Sequence, residues 1–419
     1  MISVIHTKII YILIAVVIVT VLVLLYKKQA RQTKVSEFGK YQGYSEATYD
    51  GNKRISDFLT LSNGTRLAYD LILPTRKGVP AHEPLPVLFK YTPYLRTFTI
   101  FDKDGKNLIT FFVDLKWYEK AMLRIRYWLS DQGHLMDPLM RTKWLGNMVE
   151  HGYAVIVVER PGTGASFGIT KQSMETIARE ENEILDWIAS QPWCTGNIGM
   201  YGDSQQAWCQ FAAASTGNLH LKAIFPASSQ LELYDVLEYR GGVFNKAFNS
   251  FFARVVPYLE NLATPVDTDK DGELLAQARK ERSGSVDGKT MATGAAKYPF
   301  RDSILPNGKF LWKVMSLYPV IEPINRSGIP IYMTTGWYDI FLGDMFLWYD
   351  NLTVPKRLTV RPLDHSGMDA TQFDLDYGAE AQRWFDYWLK GIDNGIMDEP
   401  PIHYYVMGVP KKEAWQTSD

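Results

Sequence analysis

Short apolar runs separated by polar turns recur along the chain, and their spacing predicts strands alternating with helices. Ile55 to Leu61 and Leu67 to Leu73 flank an Asn63-Gly64 turn, the pattern of a β-hairpin. Pro86 to Tyr91, Tyr153 to Val158, Ile198 to Tyr201, Leu221 to Pro226, Ile329 to Thr335 and Arg357 to Pro362 read as further strands. The β-branched run at 153–158 suits a parallel strand buried on both faces. Between them lie helical stretches: Glu180 to Ala189, an Ala- and Gln-rich segment after Ser204, Phe341 to Tyr349, and a strongly amphipathic Ala379 to Lys390. Alternation of this kind predicts an α/β protein with a mostly parallel sheet flanked by helices.

Three stretches break the alternation. Ile9 to Tyr26 has no charged residue and is long enough to span a bilayer as a helix. It reads as an N-terminal transmembrane anchor, with a signal peptide and a secreted or periplasmic protein as the alternative. Lys27, Lys28, Arg31 and Lys34 follow it, which by the positive-inside rule puts the large domain in the cytoplasm. Residues 27–50 are polar and read as a tether. Leu95 to Glu150, with Trp117, Tyr118, Leu123, Tyr127 and Trp128, reads as a helical excursion. Leu231 to Tyr318 is helical in pattern, rich in Phe, Tyr and Arg, and reads as a cap inserted into the sheet. The division expected is an anchor and basic flank (1–34), a core in two parts (35–230 with the 95–150 excursion, and 319–398), a helical cap (231–318) and a last strand-bearing piece (399–419).

Composition narrows the partners. At 419 residues the chain has room for two domains, or for one α/β domain with a large insertion, and a net charge of −1 without a long basic run argues against nucleic acid. The two cysteines, Cys194 and Cys209, are too few for a disulfide framework and read as small buried apolar residues. No Cys/His spacing suggests zinc. Asp267-Thr-Asp269-Lys-Asp271-Gly272 copies the first half of a calcium loop, but Ala278 stands where the bidentate Glu belongs, and an acidic helix N-terminus explains the same letters. The glycines of Glu159-Arg-Pro-Gly-Thr-Gly-Ala-Ser166 precede no Gly-Lys-Ser/Thr, so a phosphate loop is a poor reading.

The chemistry centres on Asn197-Ile-Gly-Met-Tyr-Gly-Asp-Ser-Gln-Gln-Ala207. A strand, a tight turn carrying Ser204 and a helix are the layout of a nucleophile elbow. Gly202 supplies one small neighbour and Ala207 is the nearest candidate for the other, because position 206 is Gln. A serine nucleophile needs a base and an acid that fixes the base's tautomer. Ser204, Asp339 and His365 follow three predicted strands in the order serine, acid, histidine. Four of the other histidines, His82, His134, His151 and His220, precede the acid; His6 lies before the apolar span and His403 inside the run at Ile402 to Met407. Asp344 falls within the next helix, and Asp364 adjoins the histidine itself.

On these residues the chain resembles the CocE/NonD family of serine hydrolases, which includes cocaine esterase, α-amino-acid ester hydrolases and X-Pro dipeptidyl-peptidases. Gly64-Thr-Arg-Leu-Ala68, Thr92-Pro-Tyr94, Gly152 to Val158 with Arg160 to Ser166, Trp187 to Trp193 with Ile198 to Gly202, and Gly336-Trp-Tyr-Asp339 carry the resemblance. It implies an α/β-hydrolase fold with Ser204 as nucleophile, Asp339 as acid and His365 as base. It also implies an oxyanion hole from the Gln205 N–H and the Tyr94 hydroxyl, and acyl transfer without a cofactor. The chain departs from the family pattern at Gln205 and Ala207 in the elbow and at Leu363, where a Trp commonly precedes the histidine. Family members continue into a C-terminal jelly roll, which is expected to be absent or truncated here, leaving 402–407 as an unpaired edge. The function expected is hydrolysis of small acyl esters or amides. Alternatives are an X-Pro dipeptidyl-peptidase, with Glu232, Asp235 and Glu238 as an acidic recess for a substrate amine, and an inactive membrane-anchored scaffold. Substrate-binding residues and oligomeric state are not legible.

Overall fold

The computed structural model describes residues 33–99, 135–170, 173–283, 295–306, 308–365 and 375–419, with isolated positions between 117 and 125. The stretch from Ile9 to Tyr26 lies outside them, as do Leu123, Tyr127 and Trp128. Among the described residues no helix is long and apolar enough to cross a membrane.

A large twisted sheet organises the chain. Its strands in chain order are β1 (Gly51–Thr60), β2 (Arg66–Arg76), β3 (Leu85–Thr92), β4 (Ala154–Glu159), β5 (Cys194–Asp203), β6 (Leu221–Ala227), β7 (Ile331–Gly336), β8 (Lys356–Arg361), β9 (Ile402–Tyr405) and β10 (Trp415–Ser418). Across the sheet they run β10-β9-β8-β7-β6-β5-β3-β4-β2-β1, with the short Val79–Pro80 strand added on β2. The β1–β2 hairpin, its contact with β4, and the β9–β10 pair are antiparallel; the seven strands β3 to β9 pair in parallel. This is a mixed α/β fold with a large, mostly parallel sheet. Its central strands are buried on both faces, which is why β4 reads as an unbroken apolar run.

Helices cover both faces. On one side α1 (Met174–Ala189) and α2 (Gln205–Ser215) bury Ile177, Ile184, Trp208 and Phe211 against Val87, Phe89, Ile156 and Val158. On the other, α3 (Tyr377–Lys390) buries Trp384 and Phe385 with Leu88, Val155, Val157 and Phe225. Alternate residues of β3 and β4 thus feed the two cores, as strand geometry requires. The chain moves from β3 to β4 on one side, then to β5 on β3's other side. Open α/β sheets place their ligands beyond the C-terminal strand ends at such a reversal.

Two expectations change. Residues 35–50 are not a loose tether. Val35–Glu37 and Lys40–Gln42 form a hairpin whose Gly39 N–H donates to Glu380 Oε1 at 2.7 Å, and Ser45 donates to Asp386 at 2.7 Å. Phe38 stacks on His403 with centroids 4.0 Å apart. Polar composition hid the apolar anchors. Burial between Arg357 and Arg383 pushes the His403 imidazole down to about 3, so it is a neutral stacking partner. The second change is at the sheet edge: 402–407 is not unpaired, because β10 covers β9 from Tyr405↔Trp415 to Ile402↔Ser418. β10 is four residues long and mostly exposed, too short for an apolar alternation to announce it.

The segment between β6 and β7 is helical, with helices at Lys246–Leu262 and Glu273–Arg282. Two carboxylates of the acidic run before the second have partners within the protein. Asp269 accepts from the N–H groups of Leu274 and Leu275, and Asp267 pairs with Arg54 and the Ser56 N–H. These are helix-capping and tethering roles. Within the 95–150 stretch, Pro138–Arg141 and Trp144–Glu150 are helical, while Phe98–Thr99 pairs with Leu135–Met136. Trp117 and Tyr118 are both exposed.

Candidate active site

Ser204 follows β5 directly and precedes α2, with φ 57° and ψ −124°. That backbone conformation is strained for a residue with a Cβ, at a cost of roughly 1–3 kcal/mol. It persists because the junction is held on both sides: the Ser204 N–H donates to Ala227 O at 2.9 Å, and its carbonyl accepts from Trp208 N–H at 3.0 Å. The result turns Oγ out at the strand end, on the N-terminus of an eleven-residue helix whose dipole favours negative charge. Gly202 is required beneath it, for a Cβ there would lie 2.7 Å from the Gln206 Cβ. The small neighbour expected at Ala207 is therefore not what faces Gly202. Gln206 fills that place, buried and hydrogen-bonded, and only glycine at 202 leaves it room.

Asp339 lies three residues beyond β7 and His365 four beyond β8. His365 Nδ1 and Asp339 Oδ2 are 2.8 Å apart, and Asp339 Oδ1 accepts from the Phe341 N–H at 2.7 Å. The carboxylate is thus buried and fixed, and with Nδ1–H donated to it Nε2 remains the acceptor nitrogen. The Phe341 ring meets the imidazole edge-on at 5.3 Å. Burial lowers the His365 pKa, but the hydrogen bond and charge of Asp339, aided by Asp203 and Asp364, outweigh it and hold it above the usual histidine value.

Tyr94 lies two residues beyond β3. Its hydroxyl adjoins the Ser204 side chain and the Gln205 N–H, and burial pushes it up to about 12, so it stays a neutral donor at neutral pH. The structure therefore brings together His365 with Asp339, and Tyr94 with Ser204 and Gln205, all at the C-terminal edge of the parallel strands. A direct Ser204–His365 hydrogen bond is not among those formed by the described residues; such contacts commonly tighten only when substrate binds.

Asp344 lies inside the helix Leu342–Asn351, where it accepts from the N–H groups of Leu231 and Glu232. Arg301 pairs with Glu232 at 2.7 Å and Asp235 at 3.3 Å, and Glu238 accepts from Asn249. Cys194 and Cys209 are buried and not disulfide-bonded. Among the described residues no group of three His, Cys, Asp or Glu is placed to hold a metal ion.

Sequence reasoning passed over the residues that support the strand-end loops. The glycine-rich turn after β4 wraps an internal carboxylate. Glu159 accepts from the backbone N–H of Arg96 at 3.0 Å and of Ala165 at 2.7 Å, and pairs with the Arg96 guanidinium at 2.9 Å. A Cβ on Gly164 would sit 2.2 Å from that carboxylate. Glu159 at a strand end before a glycine-rich turn was the available signal.

A strained serine at a strand–helix junction, a hydrogen-bonded Asp–His pair beyond later strands and a mostly parallel sheet are features consistent with an α/β-hydrolase architecture. Residues 63–367 match the profile of the X-Pro dipeptidyl-peptidase (S15) family, and the chain belongs to that family. Cocaine esterase of a Rhodococcus species is 27% identical over 392 residues, covering 86% of this chain and 59% of that protein. A CocE/NonD family hydrolase from Staphylococcus aureus superposes with a TM-score of 0.59 at 18% identity, covering 88% of this chain and 55% of that one. An α-amino acid ester hydrolase superposes at 0.54 with 18% identity, over 89% and 59%. These two structures bear out a mixed α/β fold with a large, mostly parallel sheet. The resemblance to the CocE/NonD group drawn from the sequence is likewise borne out. The chain spans about three fifths of the length of cocaine esterase and of the mycobacterial proteins that it matches.

Proposed function

We propose that the chain is a serine hydrolase that cleaves small acyl esters or amides. The observation that carries this reading is the positive-φ backbone of Ser204, at the same C-terminal sheet edge as the Asp339–His365 pair. In the proposed reaction Ser204 Oγ attacks the acyl carbonyl while His365 Nε2 takes its proton. Asp339 fixes the tautomer and stabilises the imidazolium. The developing oxyanion is received by the Gln205 N–H and the Tyr94 hydroxyl, each such donor lowering the barrier by about 3–4 kcal/mol. His365 then protonates the leaving group, and water, activated by the same imidazole, hydrolyses the acyl-serine.

The helical insert between β6 and β7 acts as a cap in this reading. Phe341, against the imidazole, packs with Trp312 and Tyr239 and gives the acyl side an aromatic wall. An ester or small amide is favoured over an X-Pro dipeptide. Arg301 already occupies the carboxylates of Glu232 and Asp235, which a substrate ammonium would need. Fluorophosphonate labelling, followed by comparison of p-nitrophenyl acetate with an X-Pro anilide, tests both points. No labelling of folded protein would favour the inactive scaffold; faster X-Pro turnover would favour the peptidase. We also propose that Ile9 to Tyr26 anchors the chain in a membrane with the large domain cytoplasmic, which alkaline extraction and protease protection of membranes check.

The pH dependence follows from the His365 environment. A general base must be neutral, and its pKa is raised above 6.5 by Asp339. kcat/KM is expected to rise with pH along a limb centred above 6.5. Asp339→Asn removes that stabilisation, so its residual activity should show the limb displaced to lower pH. A wild-type limb at or below 6.5 would contradict the pairing.

A further inference from the structure

Gln206 sits where an elbow serine is expected to have a small neighbour, and it is almost wholly buried. Its Nε2 donates to Thr92 Oγ1 at 2.9 Å, and its Oε1 accepts from the Asp203 N–H at 3.4 Å. The Thr92 hydroxyl, itself fully buried at the end of β3, also accepts from the Tyr94 N–H at 2.9 Å. One hydroxyl is thus gripped by the helix that follows the nucleophile and by the backbone of the tyrosine beside it. Tyr94 lies off the strand ladder and is followed by Leu95 at φ 68°, so its position depends on such local bonds. Gly202 and Gln206 fit each other: the absent side chain of one is the space of the other's Cβ.

We propose that Gln206 is a positioning residue that sets the Tyr94 hydroxyl over Ser204 through Thr92. The inference rests on the hydrolase reading above and adds a residue to it. Gln206 touches no reacting atom; it holds the elbow and the tyrosine loop in one register. A side chain of the same length without a donor fills the volume but leaves the Thr92 hydroxyl bonded to the Tyr94 N–H alone.

The test is a double-mutant cycle between Gln206→Met and Tyr94→Phe, read as kcat and KM on a short-chain aryl ester. Gln206→Met is expected to lower kcat roughly tenfold at little-changed KM when Tyr94 is present, and less than twofold in the Tyr94→Phe background. Thr92→Val should reproduce the single-variant effect and Thr92→Ser restore activity, which keeps the test open if Gln206→Met folds poorly. Equal losses in both backgrounds, or none in either, would overturn the relay while leaving the hydrolase intact. Wild-type protein that neither labels with a fluorophosphonate nor hydrolyses the ester would overturn the hydrolase reading, and the relay with it.

Discussion

Ser204→Ala is expected to fold normally and to lose about six orders of magnitude in kcat, as triad serines do when removed alone. The fold should tolerate the change because alanine keeps the Cβ, and with it the same strained backbone at φ 57°. What disappears is the oxygen that attacks. The strain gives a second readout. Ser204→Gly removes the Cβ and relaxes a conformation worth roughly 1–3 kcal/mol, against about 0.5–1 kcal/mol of extra backbone entropy in the unfolded chain. Ser204→Gly is therefore expected to be inactive yet slightly more stable than Ser204→Ala by thermal unfolding. A site whose activity costs stability behaves in this way. Ester turnover by Ser204→Ala within a hundredfold of wild type would remove Ser204 as the nucleophile.

Most of the architecture is legible because buried parallel strands leave short apolar, β-branched runs bounded by polar turns, which length and composition separate from helices. β3, β4, β5, β6, β7 and β8 each fall within a few residues of a run visible in the chain. The elements that escape detection lack that signal. β10 reads Trp-Gln-Thr-Ser and is fixed by its partner, not by its own pattern. The hairpin at 35–42 is held by hydrogen bonds to Glu380 and Arg383, more than three hundred residues away in sequence, which no local periodicity encodes.

Legibility of the site divides in the same manner. Ser204, Asp339, His365 and Tyr94 follow strands, so the ends of apolar runs point to them. The residues that hold them are visible only in three dimensions. Gln206 looked like a defect in a glycine motif, yet its amide joins two strand ends. Arg96, a lone basic residue after Tyr94, gives no hint that every nitrogen of its guanidinium is occupied. A buried charge is unreadable until its partners are known, since burial is excluded without them.

Arg96→Met is expected to destabilise the fold by about 3–5 kcal/mol, the usual cost of removing one member of a buried ion pair. The guanidinium is wholly buried: Nε pairs with Asp70 at 3.0 Å, Nη1 with Glu159 at 2.9 Å, and Nη2 donates to the carbonyls of Thr264 and Pro265 at 2.9 Å. Asp70 keeps Arg54 at 3.0 Å, so Glu159 bears most of the loss. Burial already holds the Glu159 pKa above its ordinary value, with Arg96 opposing it. Without Arg96 that pKa rises further, and the folded state then prefers the protonated acid. The sign follows: with the folded pKa above the unfolded one, the penalty is largest at high pH and shrinks as pH falls through the folded value. Denaturant melts of Arg96→Met at pH 8 and pH 5.5 should show the smaller deficit at pH 5.5. Adding Glu159→Gln should recover part of the loss at pH 8, because the uncompensated charge is gone. Equal deficits at both pH values would show that lost contacts to 264–265, not the orphaned carboxylate, carry the effect. Since Arg96 joins the tyrosine loop to the helical insert, the variant should also lose ester turnover while still folded, and circular dichroism at the assay temperature separates the two.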